Sequence, residues 1–352
     1  GGRRERPRAV DAVQPALKEA KPLWRQVPAA VRARAGELLG APVVGARRVY
    51  GGYAPSATFR LRLADGRRAF FKGVYPLPEG SHVRWALDRE ERVYRRLGEL
   101  IAPWAPAYHG SIRRAGWHAI LLDDLGPSTV PPWTTDRARA ALRAYGAFHG
   151  ATFGRPLPGW LPRRTVWGYF GAGWQRLRES DGAERLAGLA GPRTGEARAW
   201  LAAHLPALHD AALAFARTRP PYALLHLDTR SDNIRVHPRA EVPLRLFDWP
   251  IACGGPPEFD LAAFAQAITC EGGPEPETLT DWYAAIGPMR PDVLVRSVVA
   301  IAGFFAANAW RPDLPELPRL RPWQRQQLGV SLAWAARLLA LPAPSWLERV
   351  DG

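Results

Sequence analysis

The chain has little of what marks disulfide-rich, metal-cluster or membrane proteins. Cys253 and Cys270 are its only cysteines, too few for a disulfide framework or a cysteine metal cluster. No apolar run approaches the roughly 18 residues needed to cross a bilayer. The opening residues, GGRRERPRAV, contain no apolar core of a signal peptide. We therefore expect a cytoplasmic protein with no membrane association, and the sequence leaves its oligomeric state open.

Lysine is also scarce, although the chain is strongly basic. The formal net charge is +15, yet Lys18, Lys21 and Lys72 are the only lysines. A compact ammonium and a planar guanidinium are not interchangeable, so Lys72 is a candidate functional residue. The arginines are scattered, without a basic run interleaved with aromatic residues. Nucleic-acid binding is therefore not expected, and salt-dependent retention on DNA would test it.

Length and composition indicate a folded protein with two lobes. The chain is 47% hydrophobic and 23% charged, a composition typical of globular proteins. Its 352 residues are too many for one minimal core. We predict an N-terminal arm and helix over 1–40, a strand-rich lobe over 41–125, and a mostly helical lobe over 126–352. The helix in the first part spans 27–40 and ends at Gly40, a residue suited to a C-cap.

The segment 43–74 has the pattern of strands joined by turns. Strand-like RVY precedes the turn GGYAPS, TFRLRL alternates, ADGRR turns, and AFFKGV forms the return strand. This pattern places Gly51, Gly52 and Ser56 in a turn between strands. It places Lys72 on the third strand.

Residues 81–101 have the spacing of an amphipathic helix. Its apolar stripe consists of Val83, Leu87, Tyr94, Leu97 and Ile101. Glu90 falls on this stripe, and a buried carboxylate needs a partner, so we expect it to pair with Lys72. The alternative is a Glu at the edge of the stripe that pairs with a nearby Arg. Glu91 shares a face with charged residues and is predicted to lie in solvent.

The stretch 224–236, LLHLDTRSDNIRV, carries the strongest chemical signal. Asp228 follows a buried-looking strand, Asn233 comes five residues later, and Asp248 ends the strand LRLFD. Phosphoryl transfer needs a carboxylate for the attacking hydroxyl, oxygen ligands for Mg²⁺ and a cation on the nucleotide. The carboxylate could be that of Asp228, and the Mg²⁺ ligands could be Asn233 and Asp248. The cation could be Lys72. The alternative is an ordinary hairpin in which Asp and Asn form turns.

The segment HLDTRSDN, followed by FDW, is similar to the motifs of aminoglycoside phosphotransferase-like kinases, relatives of the protein kinases. The resemblance runs from about residue 27 to at least residue 265. It implies an α+β, protein-kinase-like fold with a small β-rich N-lobe and a larger helical C-lobe. It also implies a phosphotransferase, of the kind that confers antibiotic resistance. Such an enzyme uses ATP (or GTP) and Mg²⁺ and phosphorylates a small-molecule hydroxyl.

The resemblance assigns nucleotide contacts to several further residues. Lys72 would bind the α- and β-phosphates, and backbone amides of the turn with Gly51, Gly52 and Ser56 would cover them. Adenine would meet the connector between the lobes, in the segment LLDDL. Its contacts there would be the carbonyl of Asp123 and the amide of Leu125.

Two further residues match structural positions of the family. His226 would support the catalytic loop, and Asp260 would brace it, or cap the helix that follows. The family usually has Gly where this chain has Leu227, but the acid and the metal ligands are intact. Protein kinases have Arg there, and Phe-Gly after the metal Asp where this chain has Trp249, so a protein kinase is not expected.

The acceptor site is expected to lie within 155–220 and 270–350. One acidic cluster falls there, namely Glu271, Glu275, Glu277 and Asp281. The Arg excess and the many Trp residues favour an acceptor that is bulkier and less cationic than a typical aminoglycoside. The alternatives are a kinase of a metabolite, such as an amino alcohol or a sugar, and a kinase-fold protein that binds without turnover.

Overall fold

The N-terminal lobe is built on a five-stranded antiparallel sheet. The computed structural model describes residues 21–50, 56–76, 82–314 and 319–349. The strands are β1 (Val43–Arg48), β2 (Ala57–Leu63), β3 (Arg68–Val74), β4 (Tyr108–Arg114) and β5 (Trp117–Asp123). They lie side by side in the order β1-β2-β3-β5-β4. Lys72 is therefore on the central strand, opposite Thr58 of β2 and Ile120 of β5.

Side-chain alternation gives this sheet two different faces. Phe59 and Phe71 are fully buried in a core shared with Val31 and Leu39 of helix α1 (Ala29–Leu39). Burial of each such side chain contributes about 1.5–3 kcal/mol. Because neighbouring residues of a strand point to opposite faces, Lys72 faces away from α1. The predicted helix end is also found, since Gly40 caps α1 with a left-handed φ of +71°.

Helix α2 (His82–Ile101) packs beside the sheet, with Leu87, Tyr94, Leu97 and Ile101 buried as the stripe predicts. Glu90 is also buried, with 1% of its surface exposed.

The prediction that Glu91 lies in solvent is wrong. Glu91 is only 4% exposed. Its carboxylate accepts hydrogen bonds from Ser111 Oγ (2.6 Å) and Arg113 Nη2 (2.7 Å) and lies 2.8 Å from His118 Nε2. These partners belong to β4 and β5, and β4 was not predicted from the sequence. With strands on one flank and the site on the other, α2 buries an arc wide enough to include both Glu90 and Glu91.

The C-terminal lobe is mostly helical. Its helices are α3 (Thr135–Thr152), α4 (Arg164–Gly171), α5 (Gly173–Arg178), α6 (Gly182–Gly188), α7 (Thr194–Ala216), α8 (Pro257–Cys270), α9 (Pro276–Ala284), α10 (Pro291–Ala306) and α11 (Leu320–Leu338). Helix α10 is at the centre and packs against α7, α8 and α11. Across the described ranges, no helix has both the length and the apolar character required to span a membrane.

Two short antiparallel pairs of strands face the N-terminal lobe. Strand β6 (Ala223–Leu225) pairs with β9 (Cys253–Gly255), and β7 (Ile234–Val236) pairs with β8 (Leu244–Leu246). The loop 226–233 joins one pair to the other. All of the residues in these strands are buried except Arg245, which is half-buried. The loop is therefore anchored at both ends in the core.

Glu91→Ala should lower the free energy of unfolding by about 1–3 kcal/mol, because Arg113 and the buried His118 lose a hydrogen-bond partner. Urea denaturation measures the change. Glu99→Ala is the matched control, since Glu99 is exposed on the same helix. Equal stability of the two variants would contradict the structural role of Glu91.

Candidate active site

Strand pairing brings Asn233 and Asp248 to the same end of a hairpin. Ile234 is opposite Leu246 in the β7–β8 pair, so Asn233 just precedes one strand and Asp248 follows the other. The amide of Phe247 donates to the carbonyl of Asn233 at 3.1 Å, which extends the pairing by one step. Asn233 Nδ2 also donates to the backbone carbonyl of Asp228 at 3.1 Å. The three residues singled out in the sequence are therefore neighbours.

His226 connects the loop to the segment before Asp248. Its Nδ1 accepts from the amide of Asp228 at 3.2 Å, so Nε2 carries the proton and donates to the carbonyl of Phe247 at 3.0 Å. Burial lowers the pKa of His226 and favours this neutral form. The ring also makes an edge contact with Trp249, at 4.4 Å between centroids. In this arrangement His226 positions backbone rather than reacting groups.

Asp260, in the first turn of α8, holds the start of the same loop. Its carboxylate accepts from the amides of His226 (2.7 Å) and Leu227 (2.9 Å) and lies 3.2 Å from His149 Nε2. Burial by itself raises the pKa of Asp260, but the hydrogen bond and charge of His149 lower it overall. His149 in turn contacts the hydroxyl of Tyr283 at 2.7 Å. His149 was not assigned a role from the sequence, because a lone His on a helix gives no such signal.

Two residues at the ends of this arrangement have left-handed backbone. Leu227 has a φ of +65° and Asp248 a φ of +67°, a region that L-residues seldom occupy. Glycine adopts this conformation freely, which accounts for the Gly that related kinases have at the position of Leu227. In this chain, the hydrogen bonds from the amides of His226 and Leu227 to Asp260 stabilise the left-handed conformation that glycine would adopt without strain.

Lys72 reaches across from the sheet to this loop. Its Nζ donates to Glu90 Oε2 at 2.6 Å and to Asp248 Oδ1 at 2.8 Å. Burial opposes the charge of Lys72, but the carboxylates of Asp248 and Glu90 raise its pKa above the ordinary value. Burial is also the main cause that raises the pKa of Glu90. Lys72 offsets this effect only in part, because its ammonium is shared with Asp248. Lys72 therefore links the two lobes.

Helix α2 makes a second tie to the segment after Asp248. Arg89 Nε donates to the carbonyl of Pro250 at 2.7 Å, and its guanidinium lies over the ring of Trp85. Arg89 thus holds the helix that carries Glu90 against the C-terminal lobe. The sequence gave no reason to select it among the many arginines.

The connector that would meet adenine is also tied to both lobes by arginines. Arg60 of β2 and Arg235 of β7 both donate to the carbonyl of Gly126, Arg235 at 3.0 Å. Burial and the nearby charge of Arg60 lower the pKa of Arg235 to about 10. Asp123 ends β5, and Leu125 follows in the connector. Their contacts with adenine stay a prediction.

The predicted phosphate-covering turn falls at the edge of what the structure describes. Gly51 and Gly52 lie outside the described residues. Ser56 is described and is buried just before β2. Its contact with phosphate therefore stays a prediction.

Asp228 has a close cationic neighbour in its own loop. Arg230 Nε donates to Asp228 Oδ1 at 2.8 Å, and Nη2 lies 3.4 Å from Oδ2. The same guanidinium is 3.7 Å from Asp232, and burial raises the pKa of that carboxyl. The sequence gives no signal for Arg230, because nearly all basic residues of this chain are Arg.

The chain matches one family of known proteins. The model of the phosphotransferase enzyme family matches residues 45–293, more than half of the chain. Among curated proteins, none matches by sequence.

Many solved structures are similar to the chain, among them three with a TM-score of 0.50 each. A spectinomycin phosphotransferase with ADP and spectinomycin is 13% identical (90% of this chain, 97% of that one). A macrolide 2'-phosphotransferase from Brachybacterium faecium is 17% identical (78% and 89%). A protein named as a fructosamine-3-kinase, from Haemophilus somnus 129PT, is 14% identical (85% and 96%). At these identities they show the fold alone. With the family match, they show that the chain belongs to the phosphotransferase enzyme family and has the two-lobe fold of its kinases.

Proposed function

We propose that the protein transfers the γ-phosphoryl group of ATP to a hydroxyl of a small molecule in the presence of Mg²⁺, with GTP as the alternative nucleotide. The observation that carries the proposal is the contact of Lys72 with both Glu90 and Asp248. It brings a cation of one lobe to a carboxylate of the other, beside the loop with Asp228. A hairpin built only for turning has no need of this arrangement.

Asn233 and Asp248 are the residues that would hold Mg²⁺. One offers an amide oxygen and the other a carboxylate, the oxygen donors that this ion prefers, so the donor set fits it. When bound, Mg²⁺ would screen the charge of the phosphates. Lys72 would then contact the α- and β-phosphates. The spectinomycin phosphotransferase of the same fold was crystallised with ADP, which supports a nucleotide as the donor here.

Asp228 would orient the acceptor hydroxyl and take its proton. Its place in the loop is set by His226 and by Asn233, which both bond its backbone. Proton transfer to a positioned carboxylate contributes about 10²–10⁴-fold to a rate. The chemistry left to the other residues is positioning and charge stabilisation.

The acceptor itself is proposed to be a bulky antibiotic with few positive charges. Of the acidic cluster, Glu271 accepts from Ser231 Oγ at 2.6 Å and from Trp133 Nε1 at 2.7 Å. Arg337 Nε donates to Glu277 at 2.9 Å, and its Nη2 is 3.7 Å from Glu275. Carboxylates that already have partners offer less to a polycationic acceptor. This supports a less cationic compound over a typical aminoglycoside.

A metabolite such as an amino alcohol or a sugar is the second candidate acceptor. The likeness to the protein named as a fructosamine-3-kinase favours keeping it, because that name describes an enzyme of a sugar derivative. The third hypothesis is a kinase-fold protein that binds a nucleotide or a partner without turnover. Measurement of ATP consumption with antibiotic and metabolite panels separates the three.

Asp228→Asn should reduce phosphoryl transfer by about 10²–10⁴-fold while nucleotide affinity stays close to that of the wild type. The hydroxyl loses its proton acceptor, but the groups that hold the phosphates remain. Turnover assays and calorimetry with ATP and Mg²⁺ measure the two effects. Turnover equal to that of the wild type would remove Asp228 from the catalytic role.

Asp248→Ala should abolish Mg²⁺-dependent binding of ATP as well as activity, since it removes the only carboxylate of the two proposed Mg²⁺ ligands. Asp248→Asn is the matched variant, because it keeps one oxygen donor and should retain part of the affinity. Calorimetry with and without Mg²⁺ tests this. Unchanged affinity in the alanine variant would mean that the segment FDW is only the end of a hairpin.

Neutral or aromatic hydroxyl compounds should be phosphorylated with a kcat/KM about tenfold or more above that of kanamycin-like polycations, because the carboxylates of Glu271 and Glu277, which could attract a polycation, already have partners. Release of ADP reports turnover for every compound on one scale. Preference for the polycations would contradict the proposed acceptor class and leave the kinase assignment intact.

A further inference from the structure

The loop 226–233 contains one permanently charged cation, Arg230. It forms a hydrogen bond with Asp228, the residue proposed to accept the proton of the acceptor hydroxyl. Arg230 approaches both carboxylate oxygens of Asp228, with Nε at 2.8 Å from Oδ1. An acceptor hydroxyl has to donate to this same carboxylate. The guanidinium and the hydroxyl therefore use the same two oxygens, and a guanidinium that turns away leaves both of them to the hydroxyl.

The charges around the loop show where Arg230 would go. Four carboxylates, those of Glu90, Asp228, Asp232 and Asp248, surround two cations, Lys72 and Arg230, so this cluster is net negative. A nucleotide adds further negative charge at the same place. Lys72 contacts Asp248, a proposed ligand of Mg²⁺, whereas Arg230 contacts Asp228, the proposed partner of the acceptor hydroxyl. A phosphoryl group that moves from the nucleotide to this hydroxyl would therefore come within reach of both cations.

The chemistry of the transferred group suits a guanidinium. In phosphoryl transfer, charge is spread over three equatorial oxygens of the moving group, and an arginine there stabilises the transition state. The planar fork of Arg donates to two such oxygens at once. Arg230 is 17% exposed, and its side chain is long enough to turn from Asp228 toward a phosphoryl group bound beside this carboxylate.

We propose that Arg230 stabilises the negative charge of the transferred phosphoryl group. It bonds to Asp228 before the nucleotide binds and turns to the phosphoryl oxygens during transfer. The proposal rests on the kinase function proposed above. In the step itself, the hydroxyl proton goes to Asp228 and the hydroxyl oxygen forms the bond to the γ-phosphorus. The bond from this phosphorus to the β,γ-bridging oxygen breaks, and its electron pair stays on the nucleoside diphosphate. Arg230 forms and breaks only hydrogen bonds.

The test compares the binding of ADP and Mg²⁺ with and without aluminium fluoride, a planar mimic of the phosphoryl group in flight. In the wild type, aluminium fluoride should raise the affinity for ADP. Arg230→Ala should lose most of this increase, about tenfold or more, while it binds ADP alone as the wild type does. Arg230→Lys should restore part of it. Arg239→Ala, which removes one exposed positive charge from the β7–β8 turn, is the control and should keep the whole increase.

A second comparison separates a direct contact from lost screening of Asp228. Without Arg230, the bare carboxylate of Asp228 could repel the fluoride complex. In an Asp228→Asn background this repulsion is absent, and Arg230→Ala should still remove the increase. Recovery of the increase in the double variant, or its retention in Arg230→Ala, would overturn the proposal. If Arg230→Ala is unfolded, Arg230→Gln must show the same loss. Failure of the wild type to bind ADP would instead contradict the proposed function.

Discussion

The ammonium group of Lys72 lies between two carboxylates from different parts of the chain, and the arrangement of the site depends on it. Glu90 belongs to a helix beside the sheet, and Asp248 follows a hairpin of the other lobe. One positive charge shared by two carboxylates leaves the cluster net negative, which favours a further cation. The cost of burying Glu90 is acceptable only while Lys72 stays in place. The lobes are therefore coupled by electrostatics as well as by the chain.

A buried polar network performs the corresponding task in the C-terminal lobe. The amides at the start of the loop 226–233 bond to Asp260, Asp260 contacts His149, and His149 contacts Tyr283. Three helices, α3, α8 and α9, thus contribute to one backbone position. Such networks are rigid when every member has a partner, because an unpaired polar group at low dielectric is costly. The loop can then present Asp228 in a fixed direction.

The sequence was most informative where a residue type is rare or its spacing is specific. Lys72 stood out because lysine is scarce, and Asp228, Asn233 and Asp248 because their spacing matches a known chemistry. The strand-rich lobe and the helical lobe also followed from patterning, although strand β4 did not, and the fold is confirmed. The burial of Glu91 could not be predicted, because it depends on how strands β4 and β5 pack against helix α2.

The arginines show the opposite situation. Arg89 and Arg235 tie helix and connector to the catalytic lobe, yet their identity carries no signal in a chain where nearly all basic residues are Arg. What distinguishes them is the carbonyl that each one reaches, and this is a property of tertiary structure. Roles that rest on backbone partners are generally hidden from sequence reasoning.

The left-handed Leu227 has a consequence for the order in which the chain folds. In an unfolded chain a leucine seldom visits this conformation, at a cost of about 1–2 kcal/mol, whereas glycine visits it freely. The hydrogen bonds that offset the cost come from Asp260, 33 residues further along. We therefore expect the loop to settle only after helix α8 has docked, so the geometry of the proposed site would be acquired late, on a lobe that has already assembled.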